Sequence, residues 1–182
     1  SYHQQNGVNG LDESWMLPRE AIEFILGTVE PGTVVVEFGS GHGSEILAKH
    51  CELYSIEHDE AWLGIAPSTY IHATIQQNVH SSESGESGWY DVDKVVQNWP
   101  PDPQCVVIDG PPGYIGRTGI LSLLNLLEGV PIILVDDVDR PAELRLAERL
   151  AERLNYDLQT CDVEKPRDGG TQRRYAVLKR RG

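Results

Sequence analysis

Three groups of residues in this chain have types and spacings suited to chemistry. The first is Val34-Val35-Val36-Glu37-Phe38-Gly39-Ser40-Gly41-His42-Gly43-Ser44. Its apolar run suits a central parallel strand covered on both faces. The alternate glycines let a tight turn approach a ligand without a Cβ in the way. A helix from about Ser44 to His50 would point its unpaired N–H groups at that ligand. The second group is Glu57, closing the strand Glu52-Leu53-Tyr54-Ser55-Ile56-Glu57, where an acid can hold two ribose hydroxyls. The third is Asp109 with Asp136 and Asp137, each following an apolar run. Carboxylates at adjacent strand ends suit proton transfer or a hard cation.

The glycine spacing bears on which cofactor binds. A dinucleotide fingerprint reads G-x-G-x-x-G, but here Ser44 stands where the third glycine belongs. Glu37 would repel a pyrophosphate and suits a cationic ligand end. Starting at Glu37, the motif E-x-G-x-G-x-G resembles the first motif of the class I S-adenosylmethionine-dependent methyltransferases. The resemblance implies that Glu37 lies near the amino-acid end of the cofactor. It implies a cofactor set of Glu37, Gly39, Ser40, Gly41, Gly43, Ser44, Glu57, His58 and Asp109. A turn that merely links strand to helix is the plain alternative. A nicotinamide-dependent oxidoreductase and a non-catalytic S-adenosylmethionine-binding regulatory module are the functional ones.

These residues need a scaffold. Pro18 to Val29 has helical apolar spacing, stopped by Pro31-Gly32, with Trp15 and Met16 at its start. Strands are expected at 34–38, 52–57, 69–75, 104–109 and 131–135. Helices are expected at about 91–98, 118–127 and from Pro141, the last with a stripe of Leu144, Ala147, Ala151 and Leu154. Segment 76–90 reads as a mobile surface loop, polar until Trp89-Tyr90, which would fold over an acceptor or anchor the loop. Tyr156 to Val163 and Gln172 to Lys179 are joined too closely for a crossover helix, so they pair antiparallel. The order gives an α/β fold, a doubly wound and mostly parallel seven-stranded sheet with an antiparallel C-terminal strand. That closing hairpin also resembles the class I methyltransferases. A single domain spanning 1–182 is expected, with 1–17 as an N-terminal segment.

Asp109 with Asp136-Asp137 resembles the metal site of catechol-type O-methyltransferases. That likeness implies Asp109, Asp136 and Asp137 as ligands of a divalent cation such as magnesium, which would acidify an acceptor hydroxyl. The chain departs from that pattern in having Asp137 for asparagine and Pro112 for lysine. Capping of the helix near Pro141 is the structural alternative for Asp137. Without a metal, Asp109 and Asp137 are the candidate catalytic bases. Arg117 would clamp an acidic or hydroxylated acceptor or form a surface ion pair. His72 would pack near an adenine or serve structurally.

The 182 residues carry a net charge of −13, which argues against affinity for phosphate backbones. Hydrophobic content of 40% is ordinary for a globular protein, and no apolar run is long enough to cross a membrane. Three dispersed cysteines show no metal spacing and fit buried cytoplasmic thiols. The expectation is methyl transfer to a small-molecule hydroxyl, with neither nucleic acid nor membrane as partner.

Overall fold

The computed structural model describes residues 17–182. Trp15 and Met16 lie outside the described residues, as does all of the 1–17 segment except Leu17. Strands β1 (Val34–Phe38), β2 (Glu52–Glu57) and β3 (Thr69–His72) run parallel. A two-residue strand β4 (Ile75–Gln76) pairs antiparallel with β5 (Trp89–Tyr90) as a separate ribbon. The main sheet continues through β6 (Cys105–Ile108), β7 (Ile132–Val135), β8 (Tyr156–Asp162) and β9 (Arg174–Arg180). Its order is β3-β2-β1-β6-β7-β9-β8, with β9 antiparallel to both neighbours. The expected doubly wound sheet with a closing antiparallel strand is the observed one.

Alternation along the central strands divides the core in two. Val36, Phe38, Val106 and Ile108 face one cluster; Val35, Cys105 and Val107 face the other. Helices α1 (Arg19–Thr28) and α2 (Gly43–His50) cover the second cluster through Ala21, Ile22, Ile25 and Leu47. Glu45 in the first turn of α2 and Lys49 in its last complement the helix dipole. Two short helices, α3 (Val79–Glu83) and α4 (Val92–Gln97), follow β4 and β5 respectively. A 3₁₀ segment over Thr118–Leu123 runs into α5 (Leu124–Leu127). Helix α6 (Pro141–Leu154) buries Leu146, Ala147, Leu150 and Ala151. The face is turned from the expected stripe, since Leu144 and Leu154 are only partly buried. Among the described residues no helix is long and apolar enough to cross a membrane.

Residues 76–90 form more than a bare loop, because their polar side chains supply the hydrogen bonds that apolar patterning would not reveal. Asn78 Oδ1 accepts from His80 N and Ser81 N at 3.0 and 3.2 Å, capping α3, while its Nδ2 donates to Ser122 Oγ at 2.8 Å. Glu86 accepts from the backbone N–H and hydroxyl of Thr118 at 2.9 and 2.5 Å. Trp89 is fully buried against Phe38, ring centroids 5.4 Å apart, so it plugs the core and does not flank an acceptor. The 3₁₀ segment passes over Trp89 at Gly119, where any Cβ would overlap the indole side chain. Gly119→Ala is therefore expected to lower stability by about 1–3 kcal/mol, the usual cost of overpacking. Urea unfolding checks this, and an unchanged midpoint would refute the packing argument.

Candidate active site

The glycine turn is built around two buried carboxylates with different tasks. Gly39 has φ +92°, and its backbone passes so close to Gly110 that a Cβ would lie 3.0 Å from the Gly110 Cα. From this turn Ser40 N donates to Glu57 Oε1 at 2.9 Å. His58 N and Asp59 N both donate to Glu57 Oε2 at 2.8 Å. The Glu57 carboxylate is thus fixed at the wall of a cavity of about 900 Å³.

Glu37 lies behind the turn and does not line this cavity. Its Oε2 accepts from Ser44 Oγ and Ser55 Oγ, each at 2.6 Å, and Ser44 Oγ in turn accepts from Gly41 N at 3.0 Å. The acid therefore shapes the turn through two serines. Burial pushes its pKa up to about 7 against the pull of these hydroxyls, and the charge of Glu57 adds to the rise. Of the cofactor candidates, Gly39, Ser40, Glu57, His58 and Asp109 line the cavity, whereas Glu37, Gly41, Gly43 and Ser44 support it from behind. His72 does not line the cavity; its Nε2 is hydrogen-bonded to the His58 carbonyl oxygen at 3.2 Å.

At the other end, Asp109, Asp136 and Asp137 bring carboxylate oxygens within 4.8 Å of one another. Arginines surround them. Arg117, 4% exposed, donates through Nε to Pro111 O at 2.9 Å and through Nη2 to Asp109 O at 3.2 Å. Its Nη1 lies 2.9 Å from Asp137 Oδ2. Arg173 Nη2 pairs with Asp136 Oδ2 at 3.0 Å. Arg167, from the β8–β9 connection, holds Asp137 and reaches Asp139 Oδ2 at 2.7 Å. Asp137 itself has φ +65°, a left-handed conformation that aspartate tolerates better than most residues.

These contacts divide the acids. Burial, then the charges of Asp136 and Asp137, push Asp109 well above the usual carboxylate range. Burial also raises Asp136, with Asp137 adding to it and Arg173 opposing. For Asp137, burial pushes upward but Arg117, Arg140 and Arg167 outweigh it and hold the carboxyl below its usual range. The three acids converge as the likeness to catechol-type enzymes implied. Yet guanidinium groups already engage Asp136 Oδ2 and both oxygens of Asp137, and Asp136 Oδ1 accepts from Asp137 N. This donor set does not suit magnesium or calcium.

Several cavity residues carried no spacing signal in the sequence. Tyr90 is 1% exposed and lines the cavity, and its buried hydroxyl lies beside Gly110 with no hydrogen-bond partner among the described residues. Trp62, standing edge-on to His42 with ring centroids 5.3 Å apart, also lines it, as do Tyr114, Arg140 and Arg167. Arg140 was visible only as the residue before Pro141, and Arg167 only as part of a hairpin joint.

Raising the pKa of Glu37 has a sign that can be measured. Below about 4.5 the carboxyl is protonated in both folded and unfolded chains; between about 4.5 and about 7 only the unfolded chain releases the proton. Rising pH over that window therefore favours unfolding, and above it the effect is constant. Glu37→Gln is expected to gain stability relative to wild type between pH 4.5 and 7, on the order of 2–3 kcal/mol. Urea titrations of both proteins at several pH values check this; a stability difference independent of pH would refute it.

No protein-family model matches the chain, and no curated protein matches it. Solved structures do. An O-methyltransferase from Bacillus cereus, in complex with S-adenosylhomocysteine, superposes with a TM-score of 0.58 at 14% identity, covering 98% of this chain and 88% of that one. The O-methyltransferase TomG from Streptomyces achromogenes, involved in tomaymycin synthesis and in complex with S-adenosylmethionine, gives 0.51 at 16% identity over 99% and 86%. A candidate tRNA (m1A22) methyltransferase from Streptococcus pneumoniae, also with S-adenosylmethionine, gives 0.50 at 12% identity over 90% and 73%. The cavity of this chain offers a fixed acid at Glu57, a buried hydroxyl at Tyr90 without a partner among the described residues, and close backbone approach at Gly39. The fold of this chain is that of the class I S-adenosylmethionine-dependent methyltransferases, with resemblance to the O-methyltransferases among them.

Proposed function

We propose that this protein transfers a methyl group from S-adenosylmethionine to a hydroxyl oxygen of a small molecule. The observation that carries the reading is Glu57, locked by three backbone N–H groups on the wall of a cavity that Asp109 also lines. A carboxylate so fixed can accept from two ribose hydroxyls. When bound, S-adenosylmethionine supplies an electrophilic methyl group, leaving the protein to align, exclude water and take a proton. Asp109 is the proton acceptor in this reading. Burial beside Asp136 and Asp137 makes it a stronger base than an ordinary carboxylate. Asp137, held low by arginines, instead orients Arg117 at the cavity wall. The net charge of −13 supports a small acceptor over a nucleic acid.

Calorimetry is expected to find micromolar binding of S-adenosylmethionine, weakened about tenfold or more by Glu57→Ala, a loss of roughly 1.4 kcal/mol. No binding to the wild type would overturn the reading. Because arginines neutralise the acids that a metal would need, turnover is expected to survive exhaustive chelation. Turnover lost to chelation and restored by magnesium would show that the arginines do not replace a cation here.

A further inference from the structure

The acceptor end of the cavity has more to it than a base. Helix α6 starts there, with Ala142 and Glu143 in the wall, and its 14 residues are enough for a developed dipole. Its N-cap residue, Arg140, provides no side-chain cap; Pro141 has no N–H and the Glu143 N–H faces its own carboxylate, so the first turn leaves the N–H of Ala142 for another acceptor. The guanidinium of Arg140 lines the cavity with 43% of its side chain exposed. Among the described residues it makes no hydrogen bond. Its ion pair is a long one, 3.6 Å to Asp137 Oδ2, an oxygen that Arg117 already engages at 2.9 Å. Gly113 permits this placement, since a Cβ there would come within 2.9 Å of Arg140 Nη1.

The surrounding acids are committed elsewhere. Asp136 pairs with Arg173, Asp137 with Arg117 and Arg167, and Asp139 with Arg167. Asp109 and Glu143 both face this end, and burial raises the pKa of each. Arg140 therefore presents a fork of donors into the cavity, backed by a helix N-terminus and flanked by Arg167. A helix N-terminus beside guanidinium donors is a setting that binds anions.

We infer that Arg140, with the first turn of α6 and Arg167, forms a subsite for an acid group on the methyl acceptor, so that the substrate is a hydroxylated carboxylate or phosphate. This inference rests on the methyl-transfer reading. It assigns Arg140 a specificity role: the acid group docks on the arginine and the hydroxyl is presented toward Asp109.

Calorimetry on the protein saturated with S-adenosylhomocysteine tests it, using matched probes. These are 3,4-dihydroxybenzoate against catechol, and glucose 6-phosphate against glucose. At least one acid is expected to bind tenfold or more tighter than its neutral partner, and which pair responds separates carboxylate from phosphate. Arg140→Met is expected to abolish that preference and Arg140→Lys to keep part of it. S-adenosylhomocysteine affinity, measured alone in each variant, shows that the site is folded. Equal binding of acid and neutral probes, or a preference that survives Arg140→Met, would overturn the inference. Failure of S-adenosylhomocysteine to bind the wild type while the acids still bind would overturn the proposed function and leave the anion subsite standing.

Discussion

A buried guanidinium governs one end of the cavity. Arg117 carries its charge into the junction between the ends of β6 and β7, where three aspartates converge. Burying that charge without partners would be prohibitive, and burying the aspartates without it would be equally so. The carbonyls of Pro111, Asp109 and Asp136 take the donors that no carboxylate reaches. The turn after β6 is thereby tied to β7 through one side chain. With Arg167 and Arg173 added from the last hairpin, charge balance itself dictates how these loops pack.

The cofactor half depends on a different economy. Two carboxylates stand close together, and the structure avoids charging both in the same environment. Glu57 receives three backbone donors and faces the cavity. Glu37 receives hydroxyls, does not reach the cavity, and is pushed by burial to a pKa of about 7. The acid of the glycine motif thus acts through Ser44 on the N–H of Gly41, setting the turn's shape from behind.

Much of this was legible in the residue pattern. The apolar runs ending in Glu57, Asp109 and Asp136 located the strand ends, since central strands lose polar side chains to burial on both faces. Gly39 announced its turn through the need for positive φ. The arginines were harder to read: Arg117 stood out as a clamp or a surface ion pair, yet its ion pair with Asp137 is buried, and the other three gave no signal. Arg117, Arg140, Arg167 and Arg173 come from four separated places, and only the folded sheet brings them to the same carboxylates. Segment 76–90 was opaque for another reason: Asn78 and Glu86 satisfy distant backbone and hydroxyl groups, an order that leaves no periodicity. Trp89 and Tyr90, adjacent in sequence, both pack against Phe38 in the same core cluster, and of the two only Tyr90 also reaches the cavity.

The β8–β9 hairpin gives the molecule a seam in its construction. The glycine turn, Glu57 and Asp109 lie within residues 39–109, while Arg167 arrives only in the connection before β9. The cavity wall is therefore completed by a connection far along the chain from the glycine turn. Exchange of that connection would change the charge on this wall of the cavity and leave the glycine turn and Glu57 untouched. On such a seam, new substrates cost few old contacts.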